Sequence, residues 1–151
     1  MSEYEFTVSL RIRHPTIDPA TITATLGIQP QHAWKAGEPR CDPTGAQLGG
    51  AHHDSYWLAR LMDEPQRSSG DVSAEAMILK TLTLLRREQA FLDRLSAEGG
   101  VAELLVSLHA RTDFRLDLPS DSLTLLGRLH LAVALEVHSH LPLETPESRA
   151  S

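Results

Sequence analysis

Alternating apolar and polar residues at the start of the chain predict a β-strand with one buried face. Every second residue from position 4 to position 12 is apolar: Tyr4, Phe6, Val8, Leu10 and Ile12. A period of two is typical of a half-buried strand. His14-Pro15 ends the strand, since proline cannot donate a backbone hydrogen bond. Asp18-Pro19 then predicts an N-cap and a short helix that ends near Leu26-Gly27.

A long apolar stripe in the middle of the chain predicts the longest helix. The helix is expected to begin after Ser73, a candidate N-cap, and to end at Gly99-Gly100. Between them, apolar residues recur at helical spacing: Ile78, Leu82, Leu85 and Leu92. At about 1.5 Å per residue, a helix of about 24 residues would extend roughly 36 Å. Such a helix can cover one face of a sheet.

Three further strands and a short helix are expected in the rest of the chain. Residues 55–61 alternate, residues 102–110 are apolar on both faces as in a central strand, and residues 129–138 form the last strand. Residues 120–127 are expected to form a helix that Ser120-Asp121 caps and Gly127 closes. Alternating apolar residues also suggest a short edge segment: Phe114, Leu116 and Leu118.

A weak internal repeat indicates how these elements are arranged. Val8-Ser9-Leu10 recurs as Val106-Ser107-Leu108, and Leu26-Gly27 recurs as Leu126-Gly127. The pattern predicts an α+β fold with a small, twisted, mainly antiparallel sheet and helices on one face, arranged as a duplicated β-α-β unit of ferredoxin-like type. Residues 1–141 are expected to form one domain, and residues 142–151, with two prolines and a polar end, a flexible tail.

Composition narrows the expected function classes. The chain has 151 residues, a formal charge of −6 and a single cysteine, Cys41. The lack of excess Lys and Arg argues against a nucleic-acid partner. One cysteine excludes an internal disulfide and fits a reducing compartment. No signal-peptide pattern and no apolar run of about 20 residues is present, so we expect a cytoplasmic protein with no membrane partner.

A set of residues spread along most of the chain resembles a known family. The residues that carry the resemblance are Ser9-Leu10-Arg11-Ile12, Ile17-Asp18-Pro19, Ile22-Thr23, Leu26-Gly27-Ile28, Pro30, Trp34, Gly37, Tyr56-Trp57, Leu123, Leu126-Gly127, Leu129 and Leu135. They resemble a bacterial family classed only as a domain of unknown function. The resemblance covers roughly residues 4–137 and implies no activity, substrate or catalytic residue. Family members usually have an aromatic residue at the end of the last strand, where this chain has Glu136-Val137-His138.

The segment from residue 28 to residue 54 lacks a periodic pattern and concentrates the reactive side chains. Loops of this length are usually functional or disordered. Trp34 and Trp57 could form a stacking wall for a planar ligand, with Lys35 and Arg40 meeting an anion. Alternatively, the two tryptophans plug the edge of the core, as amphipathic aromatic residues commonly do. The four residues are the candidate ligand- or partner-binding site.

Metal and cofactor signals are weak in this sequence. Cys41, His52, His53 and Asp54 are ligand types that zinc accepts, but their spacing matches no compact Cys/His signature. His138-x-His140 places two imidazoles on one face of a strand. No cofactor is predicted, because the sequence contains no P-loop and no dinucleotide-binding glycine motif.

Three function classes follow from these observations. The first is a noncatalytic binding module that recognises a protein partner or small ligand through the loop from Gln29 to Asp54 and the neighbouring sheet edge. An immunity-like protein that neutralises a basic toxin is one form of it. The second is a metal-dependent or nucleophilic hydrolase with its site in the loop, formed by His32, Cys41, His52, His53 and Asp54. The third is a homo-oligomeric structural domain whose exposed strand edge pairs with its own copy.

Overall fold

The computed structural model describes residues 4–69 and 72–139. The strands in these residues are β1 (Glu5–His14), β2 (His32–Trp34), β3 (Pro39–Cys41), β4 (Gln47–Ala51), β5 (Ser55–Arg60), β6 (Gln66–Arg67), β7 (Val101–His109) and β8 (Leu131–His138). The helices are α1 (Pro19–Leu26), α2 (Ala74–Leu85), α3 (Gln89–Ala97) and α4 (Ser120–Arg128), and a 3-10 turn at Arg86–Glu88 joins α2 to α3.

The main sheet is built around β1. Its strand order is β2-β5-β1-β7-β8, and the short β6 also pairs with β1. β1 is antiparallel to β5, β6 and β7, whereas β7 and β8 are parallel. β3 and β4 form a separate antiparallel hairpin. The expected α+β class and the mainly antiparallel sheet are therefore confirmed.

One face of the sheet holds the core, and we call it the helix-covered face. In β1 the side chains buried on this face alternate with partly exposed ones, and Ile12 lies opposite both Trp57 and Ala102. Contacts join α1 to β5, α2 to β1, α3 to β7 and α4 to β8. Fully burying one large apolar side chain stabilises a fold by about 1.5–3 kcal/mol. The helices therefore stabilise the sheet mainly through this face.

The other side of the sheet, which we call the open face, is partly exposed and polar in β1. Arg11 forms an ion pair with Glu103, its neighbour on β7. Arg13 is exposed and lies opposite Tyr56 on β5. The open face therefore keeps charged and aromatic side chains near water, on the same strands that form the core.

The end of β1 is packed tightly against the turn before β7. His14 is buried; its Nδ1 accepts the N–H groups of Thr16 and Ile17 at 3.0 and 2.9 Å, and its Nε2 lies 2.8 Å from Glu98 Oε1. A Cβ atom added at Gly100 would lie 2.7 Å from the Leu95 carbonyl oxygen. His14 therefore has a structural role, and Gly100 has no room for a side chain.

The structure differs from expectation in the continuity of the long helix and in the equivalence of the two repeat halves. The long central helix is interrupted by the 3-10 turn at Arg86–Glu88, where the apolar stripe is replaced by the polar residues Glu88 and Gln89. The Ser73 N-cap is nevertheless present and accepts the Ala76 N–H at 3.1 Å. The two β-α-β halves are also not equivalent, since β1 and β5 are antiparallel whereas β7 and β8 are parallel. The ferredoxin-like arrangement of two β-α-β units is nevertheless present in the strand order β2-β5-β1-β7. β1 and β2 run parallel with β5 between them and are joined through α1, and β5 and β7 run parallel with β1 between them and are joined through α2 and α3.

Smaller differences concern the connections. The expected edge segment at residues 114–118 forms no strand, and its apolar side chains pack on the core instead. The N-cap position of α4 is Pro119, which makes no side-chain cap bond, and Gly127 lies inside the helix. Residues 28–54 contain three short strands, not an irregular loop. The expected tail at residues 142–151 lies outside the described residues.

Candidate functional site

β5 sends its two neighbouring aromatic side chains to opposite faces of the sheet. Trp57 is fully buried on the helix-covered face, and its indole N–H donates to Thr23 Oγ1 at 3.0 Å. Tyr56 is half-buried and lies on the open face. Trp34 pairs with Tyr56 across β2 and β5, so it does not share a surface with Trp57. The expected wall of two tryptophans does not form, and Trp57 plugs the core.

A cluster of stacked rings lies on the open face at the β2 edge. Trp34 stacks with Tyr56, with ring centroids 4.5 Å apart and an interplanar angle of 18°. His52 stacks with Trp34 at 4.2 Å and 14°. The Arg13 guanidinium carbon lies 5.8 Å from the Tyr56 ring centroid. We call these four residues the aromatic cluster.

Backbone hydrogen bonds hold the cluster in place. The His52 N–H donates to the Glu38 carbonyl at 3.0 Å, and the His52 carbonyl accepts from Gly37 at 2.9 Å. Gly37 has a φ of 90°, which favours glycine. The Ala36 N–H donates to the buried Ser55 hydroxyl at 2.9 Å. These bonds tie the base of the β3–β4 hairpin to the sheet and fix the His52 ring beside Trp34.

An open cleft of about 350 Å³ lies beside these rings. Its lining comprises Arg13, Trp34, His52, His53, Asp54, Ser55 and Tyr56. Arg13 and Asp54 are exposed, and neither forms an ion pair within residues 4–69 and 72–139. Trp34 already stacks on Tyr56 and His52. A bound group would therefore meet the edges of these rings, the Arg13 guanidinium and the Asp54 carboxylate. This combination suits recognition of a partly polar surface or ligand.

The remaining predicted binding residues lie near the cleft without lining it. Lys35 is exposed directly after β2, and its carbonyl accepts the Glu38 N–H at 3.0 Å in a turn. Arg40 is exposed on β3, in the hairpin that projects from the sheet. The structure thus brings Trp34 into the cleft and leaves Lys35 and Arg40 exposed outside its lining.

The residues of the expected hydrolase site are not brought together. His32 is exposed on β2 opposite Leu58, and Cys41 is exposed on β3. The Cys41 thiol lies 3.9 Å from the Pro39 carbonyl oxygen, and no histidine contacts it in the described part of the chain. Of the expected set, His52, His53 and Asp54 alone line the cleft. This arrangement supplies no base for the thiol.

The expected metal ligands do not converge either. Among the residues that the structure describes, no group of three or more His, Cys, Asp or Glu side chains could hold a metal ion. His138 stacks on His109 of the neighbouring strand, with ring centroids 4.3 Å apart. His140, the second residue of the expected pair, lies outside the described residues. The weak candidates His52, His53 and Asp54 therefore form no metal centre here.

Hydrogen bonds within the hairpin turn stabilise a carboxylate. Asp42 Oδ1 accepts the Thr44 hydroxyl at 2.6 Å and the Thr44 and Ala46 N–H groups at 2.9 Å each. The Thr44 hydroxyl, followed by the Ala46 N–H, holds the pKa of Asp42 below its usual value. The turn therefore shapes the hairpin that carries Arg40 and Cys41.

Arg13 and Tyr56 were missed by the sequence analysis as site residues. Each could have been noticed from the local pattern. Arg13 is a charged residue on the polar side of β1, and Tyr56 is an aromatic residue on the less buried side of β5. Their proximity depends on the pairing of β1 with β5, which places them directly opposite each other. That register is a long-range property, and no local pattern reveals it.

Comparison with known proteins identifies a family without a known activity. A family model described as a domain of unknown function (DUF4279) matches residues 3–140. No curated protein and no solved structure matches the chain. Within residues 4–69 and 72–139, no helix has the length and apolar character that a membrane crossing requires.

Proposed function

Since the chain belongs to the DUF4279 family, whose description assigns no activity, we propose from the geometry that it is a noncatalytic binding module. It recognises a protein partner or a small ligand through the aromatic cluster and the adjoining hairpin. The observation that carries the proposal is the stacking of Trp34 with Tyr56 and His52 on the open face, beside a cleft.

The residue types in the cluster support recognition. Trp, Tyr and Arg are enriched among the residues that supply most of the binding energy at protein interfaces. Stacking holds the rings in fixed positions, so less conformational entropy is lost when a partner binds. Lys35 and Arg40 are exposed outside the cleft lining, where they could contact anionic groups of the partner.

The net charge supports a more specific form of this proposal. The chain carries a formal charge of −6, which would steer a basic protein toward it. An immunity-like protein that neutralises a basic toxin fits this charge. Binding to such a partner should weaken as salt increases, because salt screens the long-range attraction.

Partner capture tests the proposal. Tagged wild-type protein, Trp34→Ala and the control Leu123→Ala would be incubated with lysate of the source cell, and bound proteins and small molecules read by mass spectrometry. Leu123 is 53% exposed on α4, away from the cluster, so its truncation removes a comparable exposed apolar side chain. Circular dichroism would first establish that all three proteins fold.

The expected result is a partner retained by wild type and Leu123→Ala and bound about tenfold or more weakly by Trp34→Ala. Truncating a central aromatic residue of an interface costs about 2 kcal/mol or more, which corresponds to at least this change. If Trp34→Ala retained every partner and ligand as well as wild type did, the proposal would be wrong.

A second candidate function is self-association through the β8 edge. β8 is the last strand in the sheet order, and it exposes Leu135 by 48% and Val137 by 61%. Within residues 4–69 and 72–139 no strand pairs with the outer edge of β8, and such an edge readily pairs with another chain. Sedimentation of wild type and Val137→Lys over a range of concentrations tests this function: a dimer that the variant loses supports it, and a wild-type monomer at all concentrations contradicts it.

A further inference from the structure

A second cleft lies on the helix-covered face, where the helices leave a gap. Its volume is about 270 Å³, and it lies between α2, the end of β5 and the residue that follows α1 and Gly27. Leu10 and Leu85 in its lining are buried in the core. Ile28, Leu61 and Met77 also line it and are half-buried. The cleft is therefore an apolar depression that reaches from the surface to the core.

The polar groups of this cleft include two cations that form no ion pair within the described residues. The Thr81 hydroxyl already donates to the Met77 carbonyl at 2.9 Å. Lys80 is exposed and forms no ion pair within the described residues, and no acidic residue belongs to the lining. Arg60, exposed at the end of β5, also lines the cleft and likewise forms no ion pair within the described residues. A ligand would therefore meet positive charge at the rim, from Lys80 on α2 and from Arg60 at the end of β5.

We propose that this cleft binds a small amphipathic carboxylate whose alkyl chain occupies the apolar depression and whose head group pairs with Lys80. The ammonium of lysine is a compact charge on a flexible stem, so it can follow a carboxylate at the rim. Met77 can adapt its shape to an alkyl chain, since its side chain is unbranched and polarisable.

The size of the cleft sets the length of the alkyl chain. A volume of 270 Å³ exceeds the roughly 150 Å³ of an apolar cavity that holds benzene. It lies just below the range of about 300–1,000 Å³ that is usual for sites of drug-sized ligands. A medium-length chain fits this space, whereas a long acyl chain would extend beyond it.

The second cleft is independent of the aromatic cluster. Leu10 points to the helix-covered face, whereas Arg13 and Tyr56 lie on the open face. A negative result for octanoate binding would therefore leave the proposal for the aromatic cluster intact, and a negative result for the cluster would leave this one intact.

Titration with octanoate tests the proposal. The full chain, labelled with 15N and with 13C at its methyl groups, would be titrated with octanoate, octanol and octylamine, and chemical shifts followed by NMR. We expect saturable shifts at Leu61, Met77 and Leu84, with octanoate binding most tightly and octylamine least. The absence of saturable shifts at these methyl groups, or equal binding of octylamine and octanoate, would overturn the proposal.

Two variants with matched controls locate the site. Leu84→Glu places a carboxylate at the rim, where Leu84 is 56% exposed, and Leu79→Glu makes the same change at a 50% exposed residue of α2 outside the lining. We expect about fivefold or greater weakening of octanoate binding by Leu84→Glu alone. Lys80→Gln should weaken it roughly two- to fivefold, as an exposed ion pair contributes about 0.5–1 kcal/mol. Lys35→Gln is its control, and equal effects of variant and control in either pair would contradict the assignment.

Discussion

The two faces of the same sheet differ in what their side chains do. On the helix-covered face, side chains of β1, β5 and β7 meet in register and are excluded from water. On the open face, β1 and β5 carry Arg13 and Tyr56 beside Trp34 and an open cleft. Adjacent residues of a strand therefore lie on different faces of the sheet and have different roles. Tyr56 serves the proposed recognition surface, whereas its neighbour Trp57 serves the core.

The largest expected effect is on the helix-covered face at Trp57. Replacing Trp57 with Ala should lower the free energy of unfolding by about 3–5 kcal/mol, because it leaves a large cavity and removes the hydrogen bond to Thr23. Chemical denaturation followed by circular dichroism measures this change. A loss below about 1 kcal/mol would mean that the helix-covered face does not contribute more to the free energy of unfolding than the open face does.

A second, smaller effect is expected where β7 begins. Gly100→Ala should lower the free energy of unfolding by about 1–3 kcal/mol, because the new Cβ would lie 2.7 Å from the Leu95 carbonyl oxygen. Gly127→Ala is the control: it lies inside α4 with no atom within 4 Å of the added Cβ. The control should raise stability by about 0.5–1 kcal/mol. Equal destabilisation by both variants would argue against tight packing at Gly100.

Much of the fold was predictable from local patterns. The alternation in β1 and the caps at Asp18 and Ser73 depend on neighbouring residues, and each appears in the structure. The short strands β2 to β4 were not predicted, since their mostly exposed side chains show no alternation. The sequence repeat did not reveal that β1 and β5 are antiparallel whereas β7 and β8 are parallel. The relative direction of two strands depends on the path of the chain between them.

The candidate site was predictable only in part. The concentration of reactive side chains in residues 28–54 singled out the segment that contains Trp34 and His52, which stack in the structure. The alternation of β5 could have separated Tyr56 from Trp57, because Trp57 shares its side with Ala59, a buried residue. The proximity of Arg13 required the register between β1 and β5, which arises only in the folded chain.

A third prediction concerns the pH dependence of the helix-covered face. Burial is the main cause that raises the pKa of Tyr4, whose hydroxyl donates to Glu75 at 3.0 Å and accepts the Ala74 N–H at 3.0 Å. A raised pKa contributes stability that is complete below the unfolded value of about 10 and is lost as the pH rises through the folded value.

The free energy of unfolding should therefore fall above about pH 10, and Tyr4→Phe should reduce that fall. At neutral pH the variant should lose about 1 kcal/mol, the usual contribution of a hydrogen bond. Denaturation at several pH values measures both quantities. An identical pH dependence in wild type and Tyr4→Phe would contradict the assignment to Tyr4.

The smallest effect is expected in the hairpin, which contributes little to the core. Hydrogen bonds from Thr44 and Ala46 lower the pKa of Asp42, so the turn is stabilised above the unfolded pKa of 3.8 and loses that contribution as the pH falls through the lower folded value. Acid should shift the amide NMR signals of Thr44 and Ala46 while the core signals remain unchanged. Asp42→Asn should remove this titration, and its persistence in the variant would assign it to another group.

The most direct test of the difference between the faces is the free energy of unfolding of Trp34→Ala, measured beside that of Trp57→Ala. Trp34 is half-buried on the open face, so its truncation should cost about 1 kcal/mol or less and leave the circular dichroism spectrum unchanged. A loss as large as that of Trp57→Ala would contradict the account, because the aromatic cluster would then be part of the core that holds the fold together.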